Sequence, residues 1–248
     1  SARFKNNYFG AFNGRITTKQ FDYYEPRVPG RFYINPSEME FEFILNPDSR
    51  KRLNFSFHYE IGAQPKIQRL THEIDIQSNL RIGQQINIEY ALSLESTRNE
   101  YGFASYNPQN EAITFAKRDV RTTVNNIETS YVINNKSGIS LRARHYWSGV
   151  QNSAYFLLQS NGTLIADTNF NDNLNQNYNA FTIDIMYRWI FAPGSELSLA
   201  WKTLSYSNAN VLEYNYFRNL QQSWQNQANS LSLKVLYYLD YNSLKKKK

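Results

Sequence analysis

The chain has 248 residues, with 27 Lys+Arg against 21 Asp+Glu for a net charge of +6, and no cysteine. Its mean hydropathy is −0.63, and no stretch approaches the ~18 apolar residues that a membrane helix needs. Without cysteine there are no disulfides, zinc–thiolate centres or thiol nucleophiles, yet this polar chain is 16% aromatic.

Taken in chain order, alternation of apolar and polar residues predicts ten strands, at 2–18, 34–46, 52–62, 70–82, 85–98, 113–133, 139–150, 179–191, 196–207 and 229–241. In the third, Leu53, Phe55, Phe57, Tyr59 and Ile61 oppose Asn54, Ser56, His58 and Glu60. In the fifth, Ile86, Ile88, Tyr90, Leu92 and Leu94 oppose Asn87, Glu89, Ala91, Ser93 and Glu95. The eighth sets Phe181, Ile183, Ile185, Tyr187, Trp189 and Phe191 against Thr182, Asp184, Met186, Arg188 and Ile190. The last sets Leu231, Leu233, Val235, Tyr237, Leu239 and Tyr241 against Ser232, Lys234, Leu236, Tyr238 and Asp240. No segment of ordinary helix length with period 3.6 competes.

The connections alternate as well. Tight turns rich in Gly, Pro, Asn and Asp are expected at 46–49, 82–84, 134–138 and 192–195. Longer polar connections are expected at 19–33, 99–112, 151–178 and 208–228, with a shorter one near 63–69. Short turns at one end and long loops at the other are the pattern of an antiparallel up-and-down transmembrane β-barrel. The competing reading is a soluble sandwich, whose apolar faces would form a dry core. Two features favour the membrane. Aromatic residues gather near strand ends, as at Tyr187, Trp189, Phe191, Tyr237 and Tyr241, and the opposite face carries more charge than a core tolerates unpaired.

Four segments carry a family resemblance: 4–33 (FKNNYFGAFNGRITTKQFDYYEPRVPGRFY), 113–148 (ITFAKRDVRTTVNNIETSYVINNKSGISLRARHYWS), 186–202 (MYRWIFAPGSELSLAWK) and 230–248 (SLSLKVLYYLDYNSLKKKK). They resemble a family of outer-membrane barrels from Bacteroidota, catalogued as a domain of unknown function. The resemblance implies a barrel over most of the chain, and the strand pattern sets it at 1–241 with a basic tail at 242–248. It also implies that fuller members place a module resembling family-nine carbohydrate-binding modules before the barrel. No signal-peptide pattern precedes the first strand, so Ser1 is expected to be a mature start or a cut inside a longer precursor. Both ends of the chain would face the periplasm and the long loops the exterior.

With the apolar face in lipid, the inward set can be written down: Glu38, Glu40, Glu42, His58, Glu60, Glu73, Asp75, Arg81, Glu89 and Glu95, then Glu128, Arg142, Arg144, Asp184, Arg188, Lys202, Lys234 and Asp240. In a barrel this narrow the charges are expected to meet across the lumen as a salt-bridged core; a charge-lined solute path is the functional alternative. For a rim hydrolase, His72-Glu73-Ile74-Asp75 is the nearest acid–base group. On a strand, however, His72 and Glu73 point to opposite faces. Asp167 and Asp172 hint at calcium spacing but lack the carboxylate density of a calcium loop. No metal or cofactor is expected.

The remaining candidates are loop aromatics: Tyr101, Phe103 and Tyr106, then Tyr214, Tyr216, Phe217 and Trp224. Exposed rings among Asn and Gln offer stacking plus neutral hydrogen bonds, suited to glycan or protein surfaces; the alternative is that they cap the barrel or lean on lipopolysaccharide. Lys245–Lys248 read as a solvated tail, and no basic stripe with interleaved aromatics suggests nucleic acid. The expectation is therefore an outer-membrane barrel that binds or scaffolds, with bilayer, lipopolysaccharide and outer-membrane or periplasmic proteins as partners. A solute pore and a rim hydrolase are the alternatives.

Overall fold

The computed structural model describes residues 1–5, 7–225 and 227–239. Asp240, Tyr241 and the expected tail at 242–248 lie outside the described residues, as does Asn226. In chain order the elements are β1 (Ala2–Arg3), β2 (Phe9–Thr17), β3 (Gln20–Asp22), β4 (Tyr33–Asn35), β5 (Glu38–Asn46), β6 (Leu53–Gln64), β7 (Arg69–Ile82), β8 (Ile86–Asn107), β9 (Ala112–Asn134), β10 (Ser137–Leu158), β11 (Leu164–Ala166), β12 (Gln176–Ala192), β13 (Ser195–Ala209), α1 (Tyr216–Ser223) and β14 (Ala228–Leu236). Among the described residues the chain is all-β apart from α1 and one short 3-10 turn at Pro65–Ile67.

One antiparallel sheet of twelve strands holds nearly everything, in the order β1-β2-β5-β6-β7-β8-β9-β10-β12-β13-β14, with β11 paired to β10. β3 and β4 form a separate hairpin. Each long strand pairs with the next long strand in sequence, as an up-and-down meander requires. Among the described residues no pairing joins β14 to β1 or β2, so the sheet has two free edges.

Two strands, β8 and β10, run well past their expected ends, while β9 keeps its expected span to within one residue at either end. β8, β9 and β10 have 22, 23 and 22 residues, each roughly 75 Å long at strand rise. The expected loop 99–112 shrinks to residues 108–111, and 151–178 begins only after Leu158. The reason is bulging. Extra residues enter β8 between Thr97 and Glu100 and between Phe103 and Ser105, and β10 between Asn152 and Ala154. Each shifts the alternation by one, so a strict period-2 pattern stops where the strand does not. Asn99, at φ 55°, marks the first bulge.

The expected tight turns all lie at one end. Between β5 and β6, Asp48 accepts hydrogen bonds from the Arg50 backbone N–H and from Arg50 Nε at 3.1 and 2.8 Å; this pairing holds the Asp48 carboxylate well below its ordinary range. Gly83 (φ 61°) and Gly194 (φ 73°) occupy left-handed positions in two other turns, where a side chain would be strained. The opposite end carries the β3–β4 hairpin, β11 and α1.

Register gives the sheet two unlike faces. Glu42, Glu60, Glu73 and Glu95 stand directly opposite one another across β5 to β8. The alternate positions carry Phe43, Tyr59, Ile74 and Leu94. The apolar face has no covering layer over its turn-end half: Phe55 is 51% exposed, Leu199 39% and Leu231 72%. The fully buried apolar core is small, centred on Tyr33, Ile113, Phe115 and Leu158 at the loop end.

Candidate functional site

Two neighbourhoods combine chemistry with built geometry: the charged face of the sheet and the covered loop end.

On the charged face, ion pairs run laterally between strands. Arg15 pairs with Glu40. His58 lies between two carboxylates, with Nδ1 3.0 Å from Asp75 Oδ2 and Nε2 2.9 Å from Glu42 Oε1. The Glu42 contact leaves Nε2 without a formed hydrogen bond, so it is an ion pair only when the imidazole is protonated. Arg69 reaches Glu38 at 3.2 Å across the intervening β6. Gly62 lies beneath the pair on β6, where a Cβ would come into contact with Glu38 Oε1 at 3.4 Å. Further along, Arg142 pairs with Glu128 at 3.0 Å, Arg188 with Glu196 at 2.5 Å and Lys202 with Asp184 at 3.4 Å. Glu89 accepts from Asn87 at 2.8 Å and from Asn79 at 3.3 Å. Arg144 faces Asn126 and Thr182, and Lys234 faces Ser198.

The expected pairing across a lumen is thus replaced by pairing with neighbours. Strands about 4.8 Å apart bring opposite charges together at side-chain reach without spanning a cavity. An open pocket of about 360 Å³ remains on this face, lined by Glu89, Glu128, Arg142, Asp184 and Lys202.

The β3–β4 hairpin lies over the loop end of this face. Gln64 Nε2 donates to Asn35 Oδ1 at 3.0 Å, Glu25 Oε1 accepts the Phe103 backbone N–H at 2.6 Å, and Arg31 Nη2 donates to the Leu158 carbonyl at 2.9 Å. Arg118 holds Glu100 at 2.7 Å and reaches Glu25 at 3.8 Å. Gly102 makes room for this contact; a Cβ there would overlap the Arg118 guanidinium and approach Glu25 Oε1 to 2.8 Å. Tyr33 packs 5.2 Å from Phe115, ring to ring, and burial pushes its phenol up to about 12.

The second neighbourhood lies on the other face, beyond the apolar half. There the columns of apolar residues turn polar: Ile185 and Ile183 lead to Phe181, then Asn179 and Asn177, while Trp201 leads to Thr203 and Ser205. α1 covers these residues. Its N-cap, Asn215, accepts the Arg218 N–H at 3.1 Å. Glu213 accepts the Asn215 N–H at 2.8 Å, which draws its carboxyl below the ordinary value.

Asn219, fully buried, joins the helix to the sheet: its Oδ1 accepts from Asn177 and Asn179 at 3.0 and 3.1 Å, and its Nδ2 donates to the Glu213 carbonyl at 2.5 Å. Trp147 Nε1 donates to Asn177 at 2.8 Å. His145 sits between Asn179 Oδ1 and Tyr216 Oη, both at 3.3 Å. The consistent assignment has Nε2–H donating to Asn179 and Nδ1 accepting from Tyr216, giving one directional chain into Asn219.

Of the aromatic candidates, Tyr101 and Phe103 are not loop residues. They belong to β8 and pack against the buried cluster at Tyr33 and Phe115, because the bulges prolong the strand through them. Tyr106 is exposed near the β8 end. Tyr214 is exposed, with its hydroxyl donating to Gln151 at 2.9 Å and Arg121 stacked on its ring. Tyr216 is half-buried against His145. Phe217 is exposed, and Trp224, also exposed on one side, lies 4.9 Å from the Phe181 ring.

His72 bonds Tyr59 Oη at 2.8 Å on the apolar face, whereas Asp75 bonds His58 on the other. The two therefore cannot act together. Sequence reasoning missed the Glu42–His58–Asp75 group and the Asn219 network. Cross-strand register was needed for the first. Asn175, Asn177 and Asn179, alternating in step with Phe181, were a readable signal for the second. Among the described residues no cluster of three or more His, Asp or Glu forms a metal site.

None of the curated proteins matches the chain. A solved structure, CdiB from Acinetobacter baumannii, is similar over 80% of this chain and 38% of its own length, at 10% identity and a TM-score of 0.34. The chain thus spans well under half of that protein. A family profile, by contrast, matches residues 1–248 without a gap at either end. The chain belongs to the family described as a domain of unknown function, DUF5916.

Proposed function

We propose that this chain is a membrane-embedded β-barrel domain of a bacterial outer membrane, acting as a binding or scaffold subunit of a larger assembly. The observation that carries the reading is the uncovered apolar band. On β8 it runs from Ile86 to Leu94, and on β12 from Trp189 up to Phe181, which Trp224 covers. About nine residues, tilted as barrel strands are, rise ~25 Å, the height of a hydrocarbon core. The turn-end half of this face is exposed apolar surface with no second layer, and water would not leave so large a patch bare in a soluble protein. Where the band ends, polar residues and α1 begin, as they would above a membrane.

Binding is favoured over conduction because the β3–β4 hairpin lies over the loop end of the charged face and because ion pairs knit that face laterally. The pocket of about 360 Å³ with mixed charge supports a solute pore as the second reading.

Extraction from native membranes followed by native mass spectrometry tests the proposal. Recovery only with detergent, with partner chains in fixed ratio, is the expected result. Recovery in the soluble fraction would overturn the membrane assignment. A solitary chain that conducts ions in a planar bilayer would replace the scaffold by the pore.

A further inference from the structure

α1 is too short to persist alone, and the contacts that hold it are polar and buried: Asn219 and Ser223 are fully enclosed. Its remaining aromatic side chains are used differently. Phe217 is 76% exposed and Trp224 52% exposed.

Their level in the sheet explains this. Trp224 lies against Phe181, the last ring of the column Tyr187, Ile185, Ile183, Phe181. The next residue, Gln225, offers its carbonyl to Ser205 Oγ at 2.5 Å, and Ser205 pairs with Phe181 across the strands. Tyr216, at the other end of the helix, meets His145, which also pairs with Phe181. Both ends of α1 are therefore pinned at the row where the apolar band stops.

We propose that α1 is an interfacial anchor: a strap on the outer wall whose Trp224 and Phe217 rest in the polar–apolar boundary of the outer leaflet. The partner is the lipid interface itself. Indole and phenyl rings are favoured there, one side apolar and one side wet, and amphipathic helices lie at this depth. The Asn219 network fixes the rings at that level, so the helix opposes vertical sliding of the wall. This inference rests on the band being lipid-facing.

The tryptophans supply the test. Trp201 lies within the band, opposite Ile185, whereas Trp147 is buried under the helix segment. The full protein is reconstituted in phosphatidylcholine vesicles brominated either near the headgroup end or at mid-chain. One variant keeps Trp147 and Trp224, one keeps Trp147 and Trp201, and one keeps Trp147 alone, the others being changed to Phe.

Trp224 is expected to be quenched about twofold more by shallow than by mid-chain bromines, with the order reversed for Trp201. If Trp201 is quenched and Trp224 behaves like the Trp147-only background, the anchor is overturned and the band survives. If Trp224 is quenched as deeply as Trp201, the helix is inside the hydrocarbon and the interfacial assignment falls. If neither is quenched, the lipid-facing band and the anchor fall together.

Discussion

In the turn-end half of the sheet, Ile183, Ile185 and Tyr187 on β12 and Leu197, Leu199 and Trp201 on β13 form apolar columns with no layer above them. In the loop-end half the same columns continue as Asn179, Asn177, Thr203 and Ser205, and these lie buried beneath α1. One pair of strands thus meets two environments. Where apolar side chains are left open, the proposed lipid surroundings would supply the missing cover. Where the backbone continues beyond them, side-chain amides find partners inside the protein because a buried unpaired amide is costly.

The largest effect of any single group should come from placing charge in the open half. Leu199→Arg is expected to destabilise the protein in bilayers by about 2–4 kcal/mol, whereas Gln176→Arg at the loop end should cost about 0–1 kcal/mol. Urea titration of vesicle-inserted protein measures both, and equal costs would erase the distinction between the halves.

The covered half can be broken at its hub. Asn219→Leu leaves the Asn177 and Asn179 amides without their acceptor, at about 1–3 kcal/mol for each stranded group. Hydrogen exchange over 216–223 should rise sharply while the turn-end half of β12 stays protected.

The other cover, the β3–β4 hairpin, is sensitive at a different point. Gly102→Ala should push Arg118 away from Glu25, with an overpacking cost of about 1–3 kcal/mol. Faster proteolytic cleavage within 19–35, with no change in the band, is the expected result.

The smallest effect is a pH dependence. Glu213 has its pKa lowered in the folded protein, first by the Asn215 N–H it accepts, from an ordinary value of 4.5. A depressed carboxylate stabilises above its unfolded value, and that contribution is lost as pH falls through the folded value. Exchange of the α1 amides should therefore increase below about pH 4.5, and Glu213→Gln should flatten the response.

Ten long strands were readable because each repeats a period of two over enough residues to outweigh chance. The residues 99–107 and 151–158 were misassigned to loops because single-residue bulges at Asn99 and Ser153 shift the phase, and a local pattern cannot distinguish a bulge from an end. α1 was missed since eight residues are too few for a period of 3.6 to stand out from chance, even though the helix is amphipathic and capped by Asn215. The candidate site was divided in the same way. That Glu73 and Asp75 share a face followed from alternation alone. That Asp75 meets His58, and that Glu38 passes over Gly62 to Arg69, depended on which residues stand opposite each other.

The sequence by itself determined the ten long strands, the two unlike faces, the end that carries tight turns and the side of each long strand on which a residue lies up to the bulges, because these follow from local stereochemistry and composition. Tertiary structure alone decided that charges pair with lateral neighbours, that the hairpin covers the charged face and that α1 is tied down by buried amides. Those outcomes depend on register and on contacts between residues far apart in the chain, such as Glu25 with Arg118 and Asn177 with Asn219, and no local pattern encodes them.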